Sequence, residues 1–145
     1  MSTYISEHFT LEELIQSPTA QARHIANIPD KAAEANLIRL VKEVLEPIRA
    51  AYGHPLHINS GYRGPKLNAA TGGSKTSQHM LGQAADLSCT ATSKAELFRT
   101  IKGLIDSGRL KVGQLIWEFG TKQEPAWVHV SLPYKKVNNI LYLYK

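Results

Sequence analysis

The chain has 145 residues, 43% hydrophobic and 20% charged, which is enough for one hydrophobic core and excludes a disordered tail or a collagen-like repeat. Its 17 Lys and Arg against 12 Asp and Glu give a formal charge of +5, pointing to an anionic partner such as nucleic acid, an acidic cell wall or a phospholipid surface. A lone cysteine, Cys89, beside six histidines permits neither an internal disulfide nor a thiolate cluster, so any metal must be held by nitrogen and oxygen.

Met1 to Thr10 lacks a basic stretch followed by an apolar run, so no secretory leader is expected. No segment approaches the roughly 20 apolar residues needed to cross a bilayer. The product is therefore expected to be made in the cytoplasm, and to need release or export for any action outside. Thr10 and Glu13 form a capping-box pattern that predicts a helix over Leu11 to Ser17, ended by Pro18. A longer helix is expected from Asp30. Leu37, Leu40, Val41, Val44, Leu45 and Ile48 recur on one face of it, Pro47 bends it, and Gly53 with Pro55 closes it.

Leu56 to Ser60 alternates as a strand. Gly61 to Gly82, rich in Gly, Ser, Thr, Asn and Lys, is expected to be a long functional loop. Ala84 to Cys89 is a second strand, and Ser93 with Glu96 caps a helix whose stripe of Leu97, Ile101, Leu104 and Ile105 runs to Gly108. Strands are expected over Gln114 to Phe119 and Trp127 to Leu132, with a last one, Ile140 to Tyr144, after an Asn138-Asn139 turn. Helices first, then strands with one inserted helix, predict a single α+β domain over residues 1–145 with a mainly antiparallel sheet and helices packed against it.

His8, His24 and His54 have no partner at ligand spacing and are expected to be solvated or capping side chains. His57 alternates with the apolar residues of its strand and should face away from the core. His79 and His129 come with company. Asp86, seven residues after His79, stands on an otherwise apolar strand, where a carboxylate demands a cation. His129 shares a strand face with Trp127 and Ser131, opposite Val128 and Val130. These residues match either a catalytic zinc arrangement of two histidines and one carboxylate or a buried His–Asp hydrogen-bonded pair.

The run Ser60-Gly61-Tyr62-Arg63, the string Ser77-x-His79-x-x-Gly82-x-Ala84-x-Asp86 and the downstream Trp127-Val128-His129 closely resemble the zinc D-Ala-D-Ala carboxypeptidase family (LAS-type metallopeptidases). Phe9 to Leu14 and Val44 to Arg49 resemble its small phage and prophage branch. The resemblance implies a small α+β fold with zinc on an antiparallel sheet, with His79, Asp86 and His129 as the metal ligands. It makes Arg63 the arginine that binds substrate or stabilises the developing oxyanion, a role suited to a fixed guanidinium, with Ser60, Tyr62, Ser77 and Gln78 lining the cleft.

One position departs from the family pattern. Many relatives carry an acidic residue three positions before the last histidine ligand, where this chain has Ala126. Zinc hydrolysis needs a general base, and Glu118, on one strand face with Gln114 and Ile116, would lie beside His129 in a hairpin; Glu124 in the turn is the alternative. Gly72 to Thr76 lacks the first glycine of a phosphate loop and is expected to shape the approach to His79. Cys89 is expected to be a small buried hydrophobe. Lys135 and Lys136 beside Tyr134 form no dense stripe, so nucleic acid is not the expected partner. The reading is a monomeric zinc peptidase cutting peptidoglycan stem peptides, acting on the wall after release or export, with a non-catalytic wall-binding or virion-associated module as the alternative.

Overall fold

The computed structural model describes residues 3–144. The capping box at Thr10 forms: Thr10 Oγ1 accepts the Glu13 N–H at 3.2 Å, the Glu13 carboxylate accepts the Thr10 N–H at 3.1 Å, and helix α1 (Leu11–Ile15) follows. Pro18 does not end this helix but begins the next. α1 stops at Ile15, and Pro18 opens α2 (Pro18–Ala22), where Ser17 Oγ accepts the Ala20 N–H at 3.2 Å. A proline has no N–H to waste in a first helical turn and its φ is already helical.

The longer helix starts after Asp30, whose carboxylate accepts the Ala33 N–H at 2.8 Å. It runs through α3 (Lys31–Leu40), a π-helical turn over Val41–Leu45 and α4 (Glu46–Tyr52), ending at Gly53 with φ 77°. Pro47 alters its register: the helix widens just before the proline, the Glu46 N–H reaching back to Val41 O. A ring that offers no N–H and crowds the preceding turn is accommodated by that widening. Leu37, Leu40, Val41, Val44, Leu45 and Ile48 are all fully buried.

Five strands, β1 (His57–Ser60), β2 (Ala84–Ser88), β3 (Gln114–Glu118), β4 (Trp127–Ser131) and β5 (Asn139–Leu143), form one sheet in the order β1-β2-β4-β3-β5. β1–β2, β2–β4 and β4–β3 are antiparallel, but β5 pairs parallel to β3. The sheet is therefore mixed at one edge. β4 finishes where β3 begins, so a short connection brings the chain to the start of β5; there the Asn138 N–H donates to Val112 O at 2.7 Å and its Oδ1 accepts the Val112 N–H at 2.9 Å.

Helix α6 (Lys94–Asp106), capped by Ser93 on the Glu96 N–H at 3.1 Å, packs on one sheet face against β3 and β4, and α4 packs against α6. Ala85, Leu87, Leu115, Trp117, Val128 and Val130 meet them in a single core. Strand alternation sends Asp86, Ile116, Glu118, Trp127 and His129 to the other face.

Gly61 to Gly82 is not the irregular loop its composition suggests. It contains helix α5 (Pro65–Ala70) and a 3₁₀ turn, Gln78–Leu81. Pro65 stands in the first turn of α5 and Leu67 is buried, so the Gly- and Ser-rich flanks mask a short run of helix formers. Gly82 closes the 3₁₀ turn at φ 72°, where a Cβ would lie 2.4 Å from Ala33 O; only glycine fits there. Among the described residues no helix is long and apolar enough to cross a membrane.

Candidate metal centre

The antiparallel register of β2 and β4 sets Asp86 directly opposite His129, with Ser60 and Ile116 as their neighbours on β1 and β3. His129 Nδ1 lies 2.9 Å from Asp86 Oδ1. His79 arrives from the 3₁₀ turn, where Ser77 Oγ accepts its backbone N–H at 3.1 Å. Its Nδ1 is 2.7 Å from Gly61 O. A carbonyl only accepts, so Nδ1 carries the proton and Nε2 keeps its lone pair. Nε2 points to Asp86 Oδ1 at 3.4 Å.

One donor atom from each of His79, Asp86 and His129 lies within 4.8 Å of the others, and all three residues are buried, at 4%, 7% and 8% exposure. Among the described residues no Lys or Arg nitrogen comes within 4 Å of the Asp86 or Glu118 carboxylate. Two imidazoles and one carboxylate, converging without a competing cation and with one ring's tautomer fixed from behind, suit zinc. A simple His–Asp pair would not require the third donor.

Burial pushes the Asp86 carboxyl up, but the adjoining imidazoles of His129 and His79 outweigh it and hold the group well below the usual carboxylate range. Glu118 moves the other way: its burial, then the Asp86 charge, raises it despite the nearby histidines and the Trp127 indole. Its Oε1 is 3.5 Å from His129 Nδ1. Glu124 is elsewhere, accepting the Lys94 N–H at 2.9 Å at the start of α6. Ala126 is exposed, and its N–H donates to Glu118 O at 3.0 Å to close the hairpin.

These groups form one wall of a cleft of about 1020 Å³, which Arg63, Ser77 and Gln78 also line. Arg63 Nη2 is 3.4 Å from Ser77 Oγ, while its Nε is buried with no partner. Gln78 Nε2 donates to Gln83 Oε1 and Leu132 O, both at 3.2 Å. Ser60 and Tyr62, expected to line the cleft, do not. Tyr62 is 7% exposed and belongs to the hydrophobic core, and Ser60 is half-buried in β1 beside Asp86; the backbone of the intervening Gly61 is the part turned toward His79.

His24, His54 and His57 are exposed and outside the cleft. His8 gains a distant partner, Glu46, with Nδ1 2.7 Å from Oε1. Cys89 is half-buried, packed against the core with its thiol 3.6 Å from Thr92 O. Sequence reasoning missed Asn68, whose side-chain Nδ2 donates to Ser74 O and whose backbone carbonyl accepts the Gly73 N–H, each at 2.9 Å. It thereby anchors the Gly72–Thr76 segment that lines the cleft. Phe119, edge-on to Trp127 with centroids 5.4 Å apart, was missed too; its φ of 58° has no signal in the residue type.

Comparison with curated proteins returns no match. The Peptidase M15 profile matches residues 7–131, a span that includes His79, Asp86, His129, Arg63 and Glu118. The chain belongs to the Peptidase M15 family of zinc metallopeptidases, the family of the zinc D-Ala-D-Ala carboxypeptidases.

Proposed function

We propose that this chain is a zinc-dependent peptidase that hydrolyses a peptide bond in peptidoglycan stem peptides. The observation that carries this reading is the convergence of His79, Asp86 and His129 on one point of a cleft, with the Glu118 carboxylate 3.5 Å from His129. His79 Nε2, an Asp86 carboxylate oxygen and His129 Nδ1 would hold zinc, which supplies Lewis acidity to acidify water and polarise a carbonyl.

Glu118 is the general base. Its raised affinity for protons suits a group that takes a proton at a carboxylate oxygen and passes it to the departing amine. Ala126 therefore does not leave the site without a base, and this weighs against the non-catalytic wall-binding alternative. Arg63 has a buried Nε without a partner, so its guanidinium has donor capacity to bind a substrate carboxylate or the oxygen that gains charge. Ser77 supports that guanidinium from the side.

The substrate class rests on charge as well as family. Arg63, Lys75, Lys135 and Lys136 line the cleft, and among the described residues none has a carboxylate within 4 Å. A rim of this sign favours carboxylate-bearing peptides of an acidic wall. On this reading the protein meets its substrate after release or export from the cytoplasm.

The test is to incubate purified peptidoglycan with zinc-loaded wild type, Glu118→Ala and His129→Ala proteins and to weigh the released fragments by mass spectrometry. The expected result is cleavage by wild type alone, the fragment masses naming the bond. Intact peptidoglycan after incubation with zinc-loaded wild type would overturn the reading.

A further inference from the structure

Asn27 lies between α2 and α3, far in sequence from the metal centre, and carries no motif. It is nevertheless buried at 8% exposure, and every polar atom of its side chain is engaged. Nδ2 donates to Ile15 O at 2.8 Å and to Tyr62 O at 2.9 Å, and Oδ1 accepts the Gly64 N–H at 2.8 Å. The amide thus grips the backbone on either side of Arg63, through the carbonyl before it and the N–H after it.

The opposite side of the same strap is fixed by the metal centre. The Arg63 N–H donates to His79 O at 3.1 Å, and Gly61 O accepts from His79 Nδ1 at 2.7 Å. The Tyr62 N–H donates to Leu14 O at 2.7 Å, and the approach is so close that a Cβ on Gly61 would lie 2.4 Å from that oxygen. Leu14 and Ile15 end α1, where helical carbonyls lack intrahelical partners. The end of α1, Asn27 and His79 together therefore leave the Gly61–Gly64 backbone one position.

We infer that Asn27 is a positioning residue: it fixes the Tyr62–Gly64 backbone so that Arg63 projects into the cleft from a set point relative to His79. A shorter side chain at this position leaves Tyr62 O and the Gly64 N–H buried without partners, and the strap regains freedom. The effect reaches the reaction only through Arg63, so this inference rests on the peptidase reading for its kinetic consequence, though not for its structural one.

The test compares wild type with Asn27→Ala, Arg63→Ala and the double variant, all zinc-loaded and assayed well below their unfolding temperatures. Asn27→Ala is expected to quicken amide exchange at Arg63 and Gly64 by about 10-fold or more, leaving the Leu87 and Val130 amides of the core strands slow. It is expected to lower kcat by about 10- to 100-fold with Arg63 present, the usual cost of a misplaced catalytic group, and by much less in the Arg63→Ala background. Asn27→Asp, which keeps the acceptor for Gly64 and loses both donors, stands in if the alanine variant does not fold. It should keep Gly64 slow while still lowering kcat.

Exchange in Asn27→Ala that is unchanged at Arg63 and Gly64, or that quickens uniformly through the core, would overturn the inference. So would an equal loss of kcat in both backgrounds. A wild type that exchanges as expected but cuts no peptide contradicts the peptidase reading and leaves the assignment of Asn27 to the strap supported.

Discussion

Asp86 and His129 stand directly opposite each other on β2 and β4, with His129 Nδ1 2.9 Å from Asp86 Oδ1 and His79 Nε2 3.4 Å from the same oxygen. A single carboxylate oxygen thus faces both imidazoles. Its ionised state is favoured by those two partners against the cost of burial. Asp86→Asn keeps the side-chain shape and removes the charge. It is expected to weaken zinc binding by at least about 10-fold, the scale on which lesser changes around metal ligands act. Competition against a chromophoric chelator measures this, and wild-type affinity in the variant would argue against Asp86 as a ligand.

Glu118 and Glu124 can be separated by their surroundings. Glu118→Gln should lower kcat by about 10²- to 10⁴-fold, the usual contribution of a general base, with zinc content unchanged. Glu124→Gln should leave kcat near wild type and cost about 0.5–1 kcal/mol of stability, because its carboxylate serves the first turn of α6 through the Lys94 N–H. Steady-state kinetics and urea unfolding of the two variants give both numbers.

A pH dependence of stability follows from Glu46, remote from the cleft. Burial raises this carboxyl, but hydrogen bonds from the Ser6 hydroxyl and from the His8 ring and N–H outweigh it and hold Glu46 below its ordinary value near 4.5. A depressed carboxyl stabilises the fold above that ordinary value, and the contribution disappears as pH falls through the folded-state value. Glu46→Gln should therefore be less stable than wild type by about 1 kcal/mol at pH 7, with the difference closing as pH falls from the ordinary carboxyl value through the depressed folded-state one. Urea midpoints across that range check it, and a gap that persists in acid would contradict it.

The centre of the site was legible in sequence because strand alternation and a buried acid leave few choices. Asp86 among Ala84, Ala85 and Leu87, and His129 between Val128 and Val130, must face away from the core, and the hairpin brings Glu118 to their side. The supports were not legible. Asn27, Asn68 and the end of α1 act through backbone carbonyls and N–H groups, whose partners depend on tertiary approach rather than on residue type. Tyr62 shows the same limit: a motif neighbour of Arg63 turns into the core because the backbone between them is pinned elsewhere. The parallel edge strand β5 was hidden for a related reason, since its direction depends on which end of β3 the chain reaches after β4.

The most direct measurement is of metal and activity together: strip the protein with a chelator, restore zinc in steps, and follow zinc content and peptidoglycan cleavage in parallel. One zinc per chain is expected, with cleavage that rises with occupancy, and neither in His79→Ala or His129→Ala. Full zinc binding in those variants, or cleavage that persists after zinc is removed, would contradict this expectation.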